Sequence, residues 1–306
     1  MQQGEPGAVR TIAFMNQKGG VGKTTTTVNL AAAFASRGMR TLVVDLDPQA
    51  HASLHLGVDP SGRMDDASVY DVLLDPTDHP HAPIREAIVP AGENLWCLPS
   101  ETDLAAAEFE LSDRPDRHTR LRTALGFVAD RFDAVFIDCP PSLGLLTLNG
   151  LAAAGEVIIP MQAHYLALQG VGKLLETIRL LTAGERAINP GLTVAGVVLC
   201  MHDAQSAHTR EVVEDLESFF REAAELPGLP WSAARVFRPA VRRNIKLAEC
   251  PSFGQTIFQY APDANGAADY AALAGAILTP DAEIVVRGDE ARRAIDGADS
   301  AVGSTP

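Results

Sequence analysis

The densest chemistry in the chain sits in nine consecutive residues near its start, Gln17-Lys-Gly-Gly-Val-Gly-Lys-Thr-Thr25. Glycines permit a tight turn in which successive backbone N–H groups converge on an anion. An apolar run, Thr11 to Met15, leads into this stretch, and a helical pattern through Leu30, Ala33 and Phe34 follows it. A glycine loop between a strand and a helix start is the setting of a phosphate cradle, with the positive end of the helix dipole turned toward the ligand. Lys23 is placed to reach the β- and γ-phosphates of ATP, and the Thr24 hydroxyl to ligate Mg²⁺. Gly19, Gly20, Val21 and Gly22, with Lys18, Lys23, Thr24 and Thr25, form the expected nucleotide-binding set. The competing reading is a glycine turn that carries two solvated lysines.

Two acidic sites complete the chemistry. Thr41-Leu-Val-Val-Asp45-Leu-Asp47-Pro-Gln49 reads as a buried strand that ends in carboxylates. Asp47 is the expected water-positioning residue for attack on the γ-phosphate. Asp133-Ala-Val-Phe-Ile-Asp138-Cys-Pro-Pro-Ser142 has the same form, and Asp138 is suited to hold Mg²⁺ through its water shell. For each acid the alternative is a carboxylate capping a loop or helix after a strand. His51 and His55 are expected as solvated loop histidines.

These residues need a frame. Apolar runs at 156–160 and 192–199 read as further parallel strands, and 94–99 as a strand running into a loop. Helical patterns run from the glycine loop to about Arg37, with Gly38 as C-cap, and over 70–74, 165–181, 209–220 and 266–278. Ser100 to Glu108 reads as a capped helix start, and 114–122 as the solvated basic side of an amphipathic helix. The alternation predicts an α/β fold: one doubly wound domain of P-loop NTPase type, a mostly parallel twisted sheet with helices on both faces. The expected division is a flexible lead over 1–9, the ATPase domain over 10–280, and an acidic, disordered tail over 281–306.

Composition narrows the partners. At 306 residues, 46% apolar and 21% charged, the chain reads as an ordinary globular protein, and it has no apolar run of the ~20 residues a membrane span needs. The start shows no secretory leader. Four separated cysteines without a C-x-x-C pair read as reduced cytosolic thiols. A net charge of −14 and pI near 4.9 oppose DNA binding at long range. One local run reverses the sign: Arg235, Arg238, Arg242, Arg243 and Lys246 stand together with no acid before Glu249.

The glycine stretch departs from G-x-x-x-x-G-K-[ST] by holding Gln17 in place of the first glycine and a second lysine, Lys18, at the front. This deviant Walker A form resembles that of the ParA/MinD group of P-loop ATPases, and Asp45-Leu-Asp-Pro-Gln49 and Asp138-Cys-Pro-Pro-Ser-Leu-Gly144 are similar to that group's two switch segments. Residues 242–254 resemble its Pro-Arg-Asn-Val-Arg-Leu-Ser-Glu-Ala-Pro-Ser segment. The resemblance covers about residues 10–280. It implies catalytic roles for Lys18, Lys23 and Asp47, with Lys18 crossing to a partner's nucleotide in an ATP-bound homodimer. It also implies non-specific DNA binding through Arg210, Arg238, Arg242, Arg243 and Lys246, hydrolysis stimulated by a ParB-like or cargo-adaptor protein, and a cytoplasmic, nucleoid-associated ATP state. Three departures stand out. Ala50-His51 replaces the group's Gly-Asn; Gln205 stands where relatives often carry arginine, for which reduced DNA affinity or a surface adapted to another partner is expected; and the lead is too short for an N-terminal helix-turn-helix domain. The tail has no cationic amphipathic helix, which disfavours a MinD-like membrane switch. The remaining alternative is a P-loop enzyme that uses ATP on a small molecule.

Overall fold

The computed structural model describes residues 9–59, 67–75, 82–185, 187–203, 205–226 and 228–279. The expected lead, apart from residue 9, and the expected tail lie outside the described residues. Eight strands among the described residues form one sheet in the order β3-β4-β2-β5-β1-β6-β7-β8. They are β1 (Arg10–Phe14), β2 (Thr41–Asp45), β3 (Val89–Gly92), β4 (Leu95–Leu98), β5 (Ala134–Asp138), β6 (Glu156–Met161), β7 (Thr193–Leu199) and β8 (Arg235–Phe237). All neighbours pair in parallel except β3 with β4.

Every residue of β2 and β5 is buried, because helices cover both faces of the sheet. Side chains alternate between two cores. Ala13, Val44, Ile137 and Ile159 face one, with Leu121, Leu151 and Leu174 from the helices above. Ile12, Phe14, Val43 and Phe136 face the other, against Phe34, Tyr270 and Leu273. Phe136 is its aromatic centre, with ring centroids 5.2 Å from Phe14 and 4.9 Å from Phe34.

The helices that matter for the site are α1 (Lys23–Ala35), α2 (His51–His55), α3 (Val69–Leu74), α4 (Ala82–Ala87), α5 (Leu104–Glu110), α6 (Arg120–Gly126), α7 (Leu145–Ala153), α8 (Tyr165–Thr182), α9 (Ala207–Ala224), α10 (Ile245–Glu249), α11 (Ile257–Tyr260) and α12 (Asn265–Leu278). Strand β1 lies between β5 and β6, so the loop after it opens at the carboxyl edge where the connections diverge, the usual ligand position in open α/β sheets. The α1 helix ends one turn before Gly38, whose N–H bonds the Ala35 carbonyl at 2.9 Å.

Three local expectations change. Ser100 does not cap a helix: α5 starts after Asp103 without a side-chain cap, and the Ser100 hydroxyl instead donates to the Asp47 carbonyl at 2.7 Å. Arg120 is not solvated but buried, its guanidinium bound to the carbonyls of Leu73 and Asp75 and to the Asp116 carboxylate. His55 is buried as well, on α2 rather than on a loop, with Nε2 3.4 Å from Cys250 Sγ.

Candidate functional site

The loop between β1 and α1 holds Gly20 at φ +72° and Gly22 at φ +94°. Both angles strain any residue with a Cβ, and at Gly22 that atom would also press Cys200 at 3.3 Å. Gly22 is the N-cap of α1 and offers no side chain to its free N–H groups. Those donors, with Gly19, Gly20, Gly22, Lys23, Thr24 and Thr25 around them, line a cavity of about 520 Å³. An uncapped helix start facing a cavity favours an anion there.

The carboxyl ends of β2 and β5 supply the acids. Asp45 and Asp138 are register partners on neighbouring strands, and both are buried. Burial holds both carboxyls well above the usual range, with the charge of Asp47 adding to the rise at Asp45 and that of Asp45 to the rise at Asp138. Asp138 accepts from Thr24 Oγ1 at 2.7 Å and from Thr27 Oγ1 at 3.1 Å. A hydroxyl and a carboxylate already in contact, with the carboxylate short of positive charge, fit a Mg²⁺ ion that keeps most of its waters. Asp45 accepts from the Ser53 N–H and hydroxyl, each at 2.8 Å, and from the Asp47 N–H at 3.1 Å. Asp47 lines the cavity beyond them, one carboxylate oxygen accepting the Gln49 N–H at 3.0 Å.

The two lysines of the loop differ. Lys23 is buried, and that burial lowers its pKa against the opposing pull of Asp138 and Asp47; its Nζ reaches the Lys18 carbonyl at 3.5 Å. Lys18 is exposed and does not line the cavity, with Nζ 2.7 Å from His164 Nε2. Partial burial, then the charges of Lys18 and His208, lower the His164 pKa, so its neutral ring accepts from the lysine. Val21 is buried beneath the loop and borders a groove with Lys18 and Lys173.

Opposite the phosphate end, the cavity wall is made of Met201, Val241, Arg242, Asn244, Leu247 and Tyr270. Here the basic run meets its partners. Arg242 binds Asp269 through Nε at 3.1 Å and Nη2 at 2.6 Å, so this cation belongs to the cavity wall. Arg238 pairs with Glu217 at 2.7 Å, and Lys246 with Glu249 at 2.9 Å. Arg235 donates to the Ala276 carbonyl and lies over the Phe237 ring. Arg243 and Arg210 are exposed and form no ion pair among the described residues. Gln205 is exposed beside Asp203, whose carboxylate accepts its N–H at 3.0 Å.

Sequence reasoning missed His164, Asp269, Tyr270, Ser53 and the role of Ser100. Ser53 stands just past the Asp45–Gln49 run, the others come from segments distant in the chain, and none lies in a motif. Tyr270 alone carried a signal, as the large polar aromatic in an otherwise small-residue helix; its hydroxyl lies 3.1 Å from Thr26 Oγ1 on α1.

A family model described as an AAA domain matches residues 9–194. The chain is 41% identical over 273 residues to the chromosome partitioning protein ParA of Myxococcus xanthus, covering 89% of each chain. It is 41% identical over 265 residues to the sporulation initiation inhibitor protein Soj of Bacillus subtilis, covering 87% of this chain and 96% of that one. Among solved structures it is similar to cobyrinic acid a,c-diamide synthase from Mycobacterium smegmatis with bound ATP analog and magnesium. That likeness has a TM-score of 0.70 and 36% identity, and covers 89% of this chain and 95% of the other.

Proposed function

This chain belongs to the ParA/Soj family of chromosome-partitioning ATPases, and from that membership we propose an ATPase whose nucleotide state switches it between a free monomer and a DNA-bound homodimer. The observation that carries the reading is the contact of Thr24 with Asp138 at the mouth of an uncapped α1, with Asp47 on the rim of the same cavity. ATP would lie with its phosphates against Gly19 to Thr25 and its base toward Met201, Asn244 and Leu247. Thr24 and Asp138 would hold Mg²⁺, which supplies charge neutralisation across the β- and γ-phosphates. Lys23, buried beside Asp138 and Asp47, would fix the same oxygens. Asp47 accepts a hydrogen bond from water and turns its oxygen toward the γ-phosphorus; the new P–O bond forms as the bond to the β–γ bridging oxygen breaks, leaving ADP and phosphate.

Lys18 is exposed and does not line its own cavity, which suits a cation destined for a second subunit's phosphates. Hydrolysis is slow until that contact and the water are both assembled. A ParB-like or cargo-adaptor protein would complete the assembly, and the resulting ADP monomer would leave DNA. No helix of the described residues is long and apolar enough to cross a membrane. The ATP dimer is assigned to the nucleoid in the cytoplasm, bound without reading sequence.

Retention on random-sequence DNA, compared among ATP, ADP and no nucleotide, tests the reading; it is expected with ATP alone and to weaken with salt. Equal retention in all three, or none with ATP bound, sinks it. Lys18→Ala is expected to retain monomer ATP binding and lose dimer-coupled hydrolysis. The likeness to a diamide synthase favours one other reading, a P-loop enzyme acting on a small molecule. Metabolite-dependent ATP turnover with neither DNA nor protein partner would select it.

A further inference from the structure

The peptide of Asp47 is held at both ends by groups outside the nucleotide cavity. Its N–H donates to the fully buried Asp45 carboxylate at 3.1 Å, and its carbonyl accepts from Ser100 Oγ at 2.7 Å. Ser53 joins the two anchors: its hydroxyl donates to Asp45 Oδ2 at 2.8 Å and accepts the Ser100 N–H at 3.0 Å. Both serines are fully buried. The loop they hold needs such support, because Ala50 sits at φ +52° without being glycine and the next element is the five-residue α2. Ser100 itself is anchored. It stands two residues past the end of β4, which pairs with β2 along its length, and the adjacent Glu101 accepts from Ser68 Oγ, the N-cap of α3.

We infer that Ser100 is a positioning residue for hydrolysis, its hydroxyl fixing the Asp47 carbonyl so that the carboxylate of the same residue points at the attacking water. The inference rests on Asp47 as the water-positioning group. Ser100 does not line the cavity. Its removal therefore acts on turnover and not on ATP binding. A carbonyl released from its donor lets the Leu46 to Ala50 loop rotate, and in-line attack tolerates displacements of well under 1 Å.

Ser100→Ala in the full chain is the test. The kcat for ATP is expected to fall about tenfold with KM and fluorescent-ATP affinity changed less than about twofold. Amide exchange is expected to rise at residues 46–50 while β2 and α1 stay protected. Ser100→Cys keeps the volume with a weaker donor and is expected to show a smaller fall of the same kind, so it carries the test if the alanine variant does not fold. An unchanged kcat, a matching loss of ATP affinity, or a fall in kcat without faster exchange at 46–50 overturns the inference. Asp47→Asn separates it from the premise. If that variant binds ATP and hydrolyses it at the normal rate, the role of Asp47 fails; if it is inactive while Ser100→Ala is unaffected, only the role of Ser100 fails.

Discussion

Protonating His55 would put a cation into a fully buried site between α2 and the turn at 250–253, where Cys250 Sγ is its near neighbour. Burial lowers its pKa to about 4, against a smaller opposing pull from a backbone hydrogen bond with Gln255. The unfolded chain takes up that proton near 6.5, so the stability due to neutral His55 is complete above pH 6.5 and lost as pH falls toward 4. The size is about 3 kcal/mol. Asp45 and Asp138 run the other way: their raised values make the fold less stable as pH rises through them. The wild-type profile mixes both slopes, and His55→Gln isolates one. Urea unfolding at pH 7 and pH 4 is expected to move the difference between the two proteins by about 3 kcal/mol in favour of the variant at the lower pH. A difference that stays flat would place the imidazolium in solvent. A histidine's position within a five-residue helix has no sequence signature, so its burial was not legible. The gathering of Lys23, Thr24 and Asp47 at one cavity, with Asp138 against Thr24, was legible, because each stands at a fixed distance from the glycines or from a strand end. Ser100 and His164 come from other segments, and Ser53, though close to Asp47 in the chain, carries no motif that marks it.

Gly196 shows what an element must give up to hold the cavity wall. The β6–β7 register shifts between Val157 and Ile158, and Gly196 is the residue on β7 opposite Ile158 at φ +150°. It also pairs with Arg235 on β8, and a Cβ there would strike the Arg235 carbonyl oxygen. That oxygen belongs to the backbone and cannot move without parting β8, the three-residue edge strand that leads to Val241, Arg242 and Asn244. Gly196→Ala is expected to cost about 2–4 kcal/mol in urea unfolding and to weaken ATP binding. A loss under about 0.5 kcal/mol would show that the edge moves freely. The inner strands were readable because burial on both faces makes them continuous apolar runs. The edges β3 and β8 were not: one contains Pro90, the other has three residues, and each exists because a neighbour is there to pair with.

For the whole molecule the question is how a chain of net charge −14 would hold DNA. The total was legible in the sequence; the pairing was not, since Glu217 and Asp269 reach the basic run from α9 and α12. Of the five cations expected to meet phosphate, Arg238, Arg242 and Lys246 already have carboxylate partners, while Arg210 and Arg243 have none among the described residues. A cation that stays paired with its carboxylate neutralises no phosphate, so it displaces few of the counterions condensed on the DNA. Two unpaired cations per subunit would give about four in the proposed dimer, and a slope of log affinity against log salt near −4. All five acting freely would give a slope near −9. Titrating the ATP dimer against random-sequence duplex at several salt concentrations distinguishes the two, and the shallow slope is expected. Arg243→Ala should reduce it by about 2, whereas Arg242→Ala should leave it nearly unchanged and weaken ATP binding through the lost Asp269 contact. A steep slope would mean that binding breaks the ion pairs to Glu217, Glu249 and Asp269. Arg242 would then link the cavity wall directly to the DNA surface, because the cation that leaves Asp269 also lines the nucleotide site.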